Sequence, residues 1–82
     1  MTAYVLIQTR SDRKPVAGAL RAMRGIVHAD DLTGPYDAIA VASAGSSRDL
    51  FDRILPEIRR LPGVTHALPA PMARAEDEGR AA

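Results

Sequence analysis

Eighty-two residues with 46% hydrophobic content and no cysteine allow one compact domain and exclude disulfide staples, zinc knuckles and thiol chemistry. A net charge of +1, with eleven basic residues interspersed among ten acidic ones, offers no cationic stripe of the kind a phosphate backbone requires. No apolar run approaches the roughly 20 residues of a membrane span, and the start of the chain lacks the pattern of a secretory signal, so the sequence reads as a cytoplasmic protein.

Ala3 to Thr9, AYVLIQT, is rich in Val, Ile and Tyr and apolar on both faces, which predicts a first strand. Pro15 sits near the start of a predicted helix of about eleven residues. That helix carries Val16, Leu20 and Met23 on one stripe and ends at Gly25 in a left-handed conformation. Ile26 to Thr33 reads as a second strand, more polar through His28, Asp30 and Asp31 and so suited to a sheet edge. After the Gly34-Pro35-Tyr36 corner, Asp37 to Ala44 forms a third strand, again apolar on both faces.

Gly45 breaks that strand, and Ser46 or Ser47 can cap a second helix whose Leu50, Phe51, Ile54, Leu55 and Ile58 fall at helical spacing toward the sheet. Pro56 inside it removes a hydrogen bond at a cost of about 3 kcal/mol, which predicts a local kink with the ring facing water. Pro62 and Gly63 end the helix, and Val64 to Ala70 is a fourth strand whose Pro69 requires an edge. Residues 71–82 hold few apolar side chains and read as a mobile tail, leaving residues 1–70 as the folded unit.

Met23-Arg24-Gly25-Ile26-Val27-His28-Ala29 is echoed by Leu61-Pro62-Gly63-Val64-Thr65-His66-Ala67, so each half is strand, helix, strand. Two such halves with right-handed crossovers give an α+β fold: ferredoxin-like βαββαβ, a four-stranded antiparallel sheet in the order 4-1-3-2 with two helices on one face. Alternation then leaves apolar side chains on the uncovered face as well, a patch on the order of 500 Å² that is large for a monomer. The sequence therefore predicts a homodimer packed sheet against sheet.

Catalytic signatures are missing. The third strand lacks the stacking aromatics of an RNA-binding sheet, and the first loop lacks the paired cysteines of a metal chaperone. His28 and His66 fall on opposite edge strands, too far apart for a joint metal site within one chain. Asp30 and Asp31 are adjacent in a strand and point to opposite faces. Ser43, Ser46 and Ser47 have no partnered base nearby in sequence. No catalytic residue, metal or cofactor is expected.

The corner Thr33-Gly34-Pro35-Tyr36-Asp37 is the remaining candidate. Gly34 precedes a proline, which favours an extended conformation, and Pro35 fixes its own backbone, so the loop is stiff and binds at low entropic cost. Asp37 can pair with a ligand ammonium, Gly34 can admit a ligand carboxylate to the backbone, and Tyr36 can wall the site. On the plainer reading Asp37 only caps the turn and Tyr36 only packs at a subunit boundary.

The stretches AYVLIQT, RGIVHADDLTGPYDAIAVA and DLFDRILPEIRRLPGV together resemble the effector-binding (RAM) domain of the Lrp/AsnC transcriptional regulators, from about Ala3 to Ala70. The most specific element is T-G-x-Y-D at Thr33, Gly34, Tyr36 and Asp37, supported by Pro62-Gly63-Val64. Full-length members carry an N-terminal helix-turn-helix, whereas this sequence opens directly on the first strand and so resembles the stand-alone version, without contact to nucleic acid of its own. The resemblance implies sheet-to-sheet dimers, assembling further into tetramers or octamers, with amino-acid-like effectors bound in crevices between them. It implies that Thr33, Gly34, Tyr36 and Asp37 line such a crevice, with Thr65 and His66 contributed by a neighbouring subunit, and that mixed oligomers form with a full-length regulator. After Val64 the sequence departs from the family's Thr-rich strand. The competing expectation is a small dimeric α+β barrel enzyme, of the cofactor-free oxygenase or isomerase type, which needs a pocket between sheet and helices with a polar group such as His28 aimed into it.

Overall fold

The computed structural model describes residues 1–10 and 15–71; the tail expected over residues 71–82 lies outside them save for Pro71. Four strands, β1 (Thr2–Thr9), β2 (Ile26–Asp31), β3 (Ala38–Ser43) and β4 (Val64–Pro71), form one antiparallel sheet in the order β2-β3-β1-β4. This is the ferredoxin-like order expected from the sequence, with the two strands that are apolar on both sides at the centre. The polar β2 and the Pro69-bearing β4 take the edges, where a residue without an N–H leaves no central ladder broken.

Alternation along the central strands sorts the side chains cleanly. Ala3, Val5 and Ile7 of β1 and Ala38, Ala40 and Ala42 of β3 are fully buried beneath the helices. Their small size on β3 lets Leu20, Leu50, Ile54, Leu55 and Ile58 settle against the sheet, and all five are completely buried. Among the described residues no polar or charged side chain is buried, so the space between sheet and helices is an aliphatic core. Tyr4, Leu6, Ile39 and Val41 project from the other face, joined across β4 by Leu68, which pairs with Leu6. Tyr4 and Leu68 are 41% and 44% exposed.

The first helix, α1 (Ala17–Arg21), is shorter than the eleven residues expected. A tertiary contact sets its start and local turns set its end. The Asp31 carboxylate, at the end of β2, accepts the Val16 and Ala17 amides at 3.2 Å each and so supplies the cap that no local side chain provides. At the other end the chain tightens at once, with Met23 N–H donating to Leu20 O and Ile26 N–H to Met23 O. Gly25 makes that exit possible with φ of +97°, where a Cβ would also sit 3.0 Å from Ile54 Cδ1.

The second helical segment, α2, joins an α-helical turn (Ser47–Asp49), a wide π turn (Leu50–Ile54) and a further α-helical stretch (Leu55–Arg59). The π turn lies where the sequence predicts a kink. Pro56 cannot donate to Asp52 O and its ring crowds that carbonyl; the π turn immediately before it, closed by Leu55 N–H to Leu50 O, absorbs both faults by adding a residue. Pro56 is half-buried rather than facing water. The extra residue also lets the neighbours Ile54 and Leu55 both reach the core, while Phe51, expected to face the sheet, is 49% exposed on the outer surface.

Ser46 begins α2 as foreseen: its Oγ accepts the Asp49 amide at 3.0 Å, and Asp49 reaches back to the Gly45 amide at 3.0 Å, a variant of the capping box. Arg53 closes on both Asp49 oxygens, at 2.7 and 3.1 Å. The hydrogen bonds from Arg53 and from Gly45 hold the Asp49 carboxyl at about 2, below its usual 3.8. No helix of the described residues is long and apolar enough to cross a membrane.

Because the folded-state pKa of Asp49 is depressed, its contribution is fully present above pH 4 and disappears as the pH falls toward 2. Asp49→Asn should therefore lower the urea midpoint at pH 7, with the gap from the wild type closing when both are measured near pH 2.5. A gap of constant size over that range would remove Asp49 from the acid response.

Candidate functional site

The sheet order decides which sequence candidates meet. The β2–β3 loop, residues 32–37, leaves the sheet at the end where β1 finishes and β4 begins, so Thr33 to Asp37 lie at the same end as Thr65 and His66 with Gln8 and Thr9 of β1 between them. His66 pairs with Gln8 across the β1–β4 ladder, and the register slips between Gln8 and Thr9, a bulge of the kind found at sheet margins that carry function.

The loop is anchored to β1 rather than hanging free. Asp37 N–H donates to Ile7 O at 2.9 Å, Thr9 N–H donates to Asp37 Oδ2 at 2.7 Å, and Gln8 Nε2 donates to Pro35 O at 2.9 Å. Leu32 N–H closes the loop on Asp37 O at 2.8 Å. One carboxylate oxygen of Asp37 thus ties the turn to the neighbouring strand rather than capping the turn itself. Tyr36 and Asp37 are half-buried, and Thr33, Gly34 and Pro35 are exposed. Gly34 departs from the extended conformation expected before a proline: its φ is +110°, a region that a side chain disfavours even though the space around its Cα is open. The loop therefore offers its backbone to solvent at the point where a bulky residue would screen it.

On β4, Thr65 Oγ1 donates to Gln8 O at 3.2 Å and lies 3.3 Å from His66 Nδ1. Both residues are exposed. Gln8 was not among the residues singled out from the sequence, although it touches both halves of the candidate site. Its signal was present as the one amide side chain in a largely apolar strand.

His28 falls far from this cluster. It sits on β2 at the opposite edge, opposite Val41 and thus on the face away from the helices, with Nε2 2.6 Å from Asp30 Oδ2 and its side chain 63% exposed. Arg21 approaches the other Asp30 oxygen at 3.7 Å. The pocket that the barrel-enzyme expectation requires would have to lie on the helix side, which is occupied by Leu20, Leu50, Ile54 and their neighbours. Among the described residues no group of three or more His, Asp or Glu is placed to hold a metal.

The family profile of the Lrp/AsnC ligand binding domain matches residues 2–67. No curated protein sequence matches the chain. Among solved structures, a hypothetical protein from Pyrococcus horikoshii is 25% identical with a TM-score of 0.74, over 92% of this chain and 93% of that one. A protein from Thermus thermophilus is 30% identical with a TM-score of 0.72, over 89% and 95%. A transcriptional regulator from Neisseria meningitidis, solved as its L-Met complex, shares the fold at 17% identity and a TM-score of 0.76, with 90% of this chain covering 50% of the regulator.

Removal of the Asp37 carboxylate leaves the Thr9 amide unpaired at a partly buried position. Asp37→Ala should cost about 1–2 kcal/mol of unfolding free energy, read as a shifted urea midpoint at unchanged slope. A variant as stable as the wild type would show that the loop is held without that bond.

Proposed function

Because the chain belongs to the Lrp/AsnC ligand-binding domain family, we propose that it is a non-enzymatic sensor and assembly module that binds a small, amino-acid-like effector. In this reading two copies pack through the face bearing Tyr4, Leu6, Ile39, Val41 and Leu68, dimers associate further into tetramers or octamers, and effectors lodge in the seams. Thr33, Gly34, Tyr36 and Asp37 supply one wall, and Thr65 and His66 of a neighbouring copy supply another. Mixed oligomers with a full-length regulator pass the signal on.

One observation carries this reading: the exposed, backbone-presenting corner at Gly34 is fixed to β1 through Gln8 and Thr9. An α-amino acid asks for acceptors around its ammonium and donors around its carboxylate, and the corner offers the Asp37 carboxylate, of which one oxygen is engaged among the described residues, beside amides held in a stiff loop. The amino-acid class is supported by the L-Met bound to the Neisseria regulator of the same fold. The mechanism is linkage, in which the ligand favours whichever assembly completes the crevice.

Titration calorimetry with each of the twenty standard L-amino acids should give heat for at least one. Asp37→Lys should weaken that binding by about tenfold or more, on the order of 1.4 kcal/mol, while the oligomer mass stays unchanged. Silence across the whole set with the wild type removes the effector from the proposal.

A further inference from the structure

We propose that Gln8 is a positioning residue that ties both effector-contacting segments of its own chain, the Gly34 corner and the Thr65–His66 pair, to β1; this rests on the effector reading of Thr33–Asp37 and Thr65–His66. Three observations converge on it. Its side chain donates to Pro35 O in the loop, its backbone carbonyl accepts the Thr65 hydroxyl, and its Cα partner across the ladder is His66. One residue of β1 thus bonds to both segments. The Gln8 amide has only one orientation that works here, because a carbonyl can only accept and the nitrogen must face Pro35.

The loop needs this donor for a geometric reason. The Asp37 amide is bonded to Ile7 O and the Asp37 carboxylate to the Thr9 amide, so the base of the loop is fixed by the strand. Pro35, two residues nearer the tip, has no N–H of its own to offer and sits exposed beyond the last ladder bond. The Gln8 side chain carries the tie from β1 out to that tip, and the bulge between Gln8 and Thr9 lets adjacent β1 residues serve the loop at two levels. Removing the donor frees the tip from β1 and lets the Leu32–Asp37 closure beneath it open more often, while β1 and β4 stay paired.

Three variants test this. Gln8→Leu deletes the donor, Gln8→Glu deletes it while keeping a polar side chain of equal length, and Gln8→Lys restores a donor of similar reach. In hydrogen exchange, the Leu32 and Asp37 amides should exchange about tenfold faster in Gln8→Leu and Gln8→Glu than in the wild type, with core amides such as Val5 unaltered, and Gln8→Lys should return to within about threefold. Affinity for whichever L-amino acid binds the wild type should follow the same pattern, weakened by about tenfold without the donor and recovered with lysine. Loop exchange in Gln8→Glu and Gln8→Leu equal to the wild type overturns the assignment, as does full affinity in either. If no amino acid binds the wild type, the effector reading fails separately, and the exchange pattern still decides whether Gln8 sets the loop.

Discussion

The whole arrangement depends on a pair of central strands that are apolar on both sides. Residues on β1 and β3 that face the helices are alanines, a valine and an isoleucine, all buried, and burial of that surface at roughly 25 cal/mol per Å² is what holds α1 and α2 down. The residues between them are no more polar. Tyr4, Leu6, Ile39 and Val41 meet across the β1–β3 ladder in register, Tyr4 against Val41 and Leu6 against Ile39, and cross-strand contact of this kind stabilises the pair on the face away from the helices. An 82-residue chain thus places its apolar side chains on two faces while owning helices enough for one. That imbalance, rather than any catalytic group, is the basis for reading the domain as a unit of assembly.

The candidate site follows from the same sheet. Because β1 runs between β3 and β4, its last residues are within reach of the loop on one side and of the β4 start on the other. Side chains that elsewhere in β1 alternate between core and open face give way at Gln8 and Thr9 to hydrogen bonding with Pro35, Asp37 and Thr65. The corner is therefore tied to the strand at Ile7, Gln8 and Thr9, and such anchoring is what a low-entropy binding wall needs.

The sequence disclosed the parts of this that rest on period and polarity. Strand order was readable because only β1 and β3 are apolar on both sides, and because Pro69 and the Asp30–Asp31 pair suit edges alone. The Ser46 cap and the Gly25 exit were readable because each is a local rule of backbone chemistry. Features set by contacts distant in sequence escaped. The start of α1 depends on Asp31, fourteen or fifteen positions away, so no local signal marks it. Phe51 and Leu50 are neighbours on a helix, and periodicity alone admits both to the core until the π turn before Pro56 moves Ile54 and Leu55 inward together. The rule for residues before proline predicts an extended Gly34, yet its φ in the folded loop is positive. Of the candidate residues, the corner was legible as the T-G-x-Y-D motif and Thr65 and His66 only through the family resemblance, whereas Gln8 gained its place only when β1 was set between them.

The central claim is that the face bearing Tyr4 and Leu68 is covered by a second copy of the chain. Sedimentation equilibrium of the purified protein at micromolar concentration tests it directly: the account predicts a mass of twice the chain or an even multiple, reduced to the single chain when Leu6 and Ile39 are both replaced by lysine. A wild-type protein that sediments as a folded monomer throughout that range would contradict it.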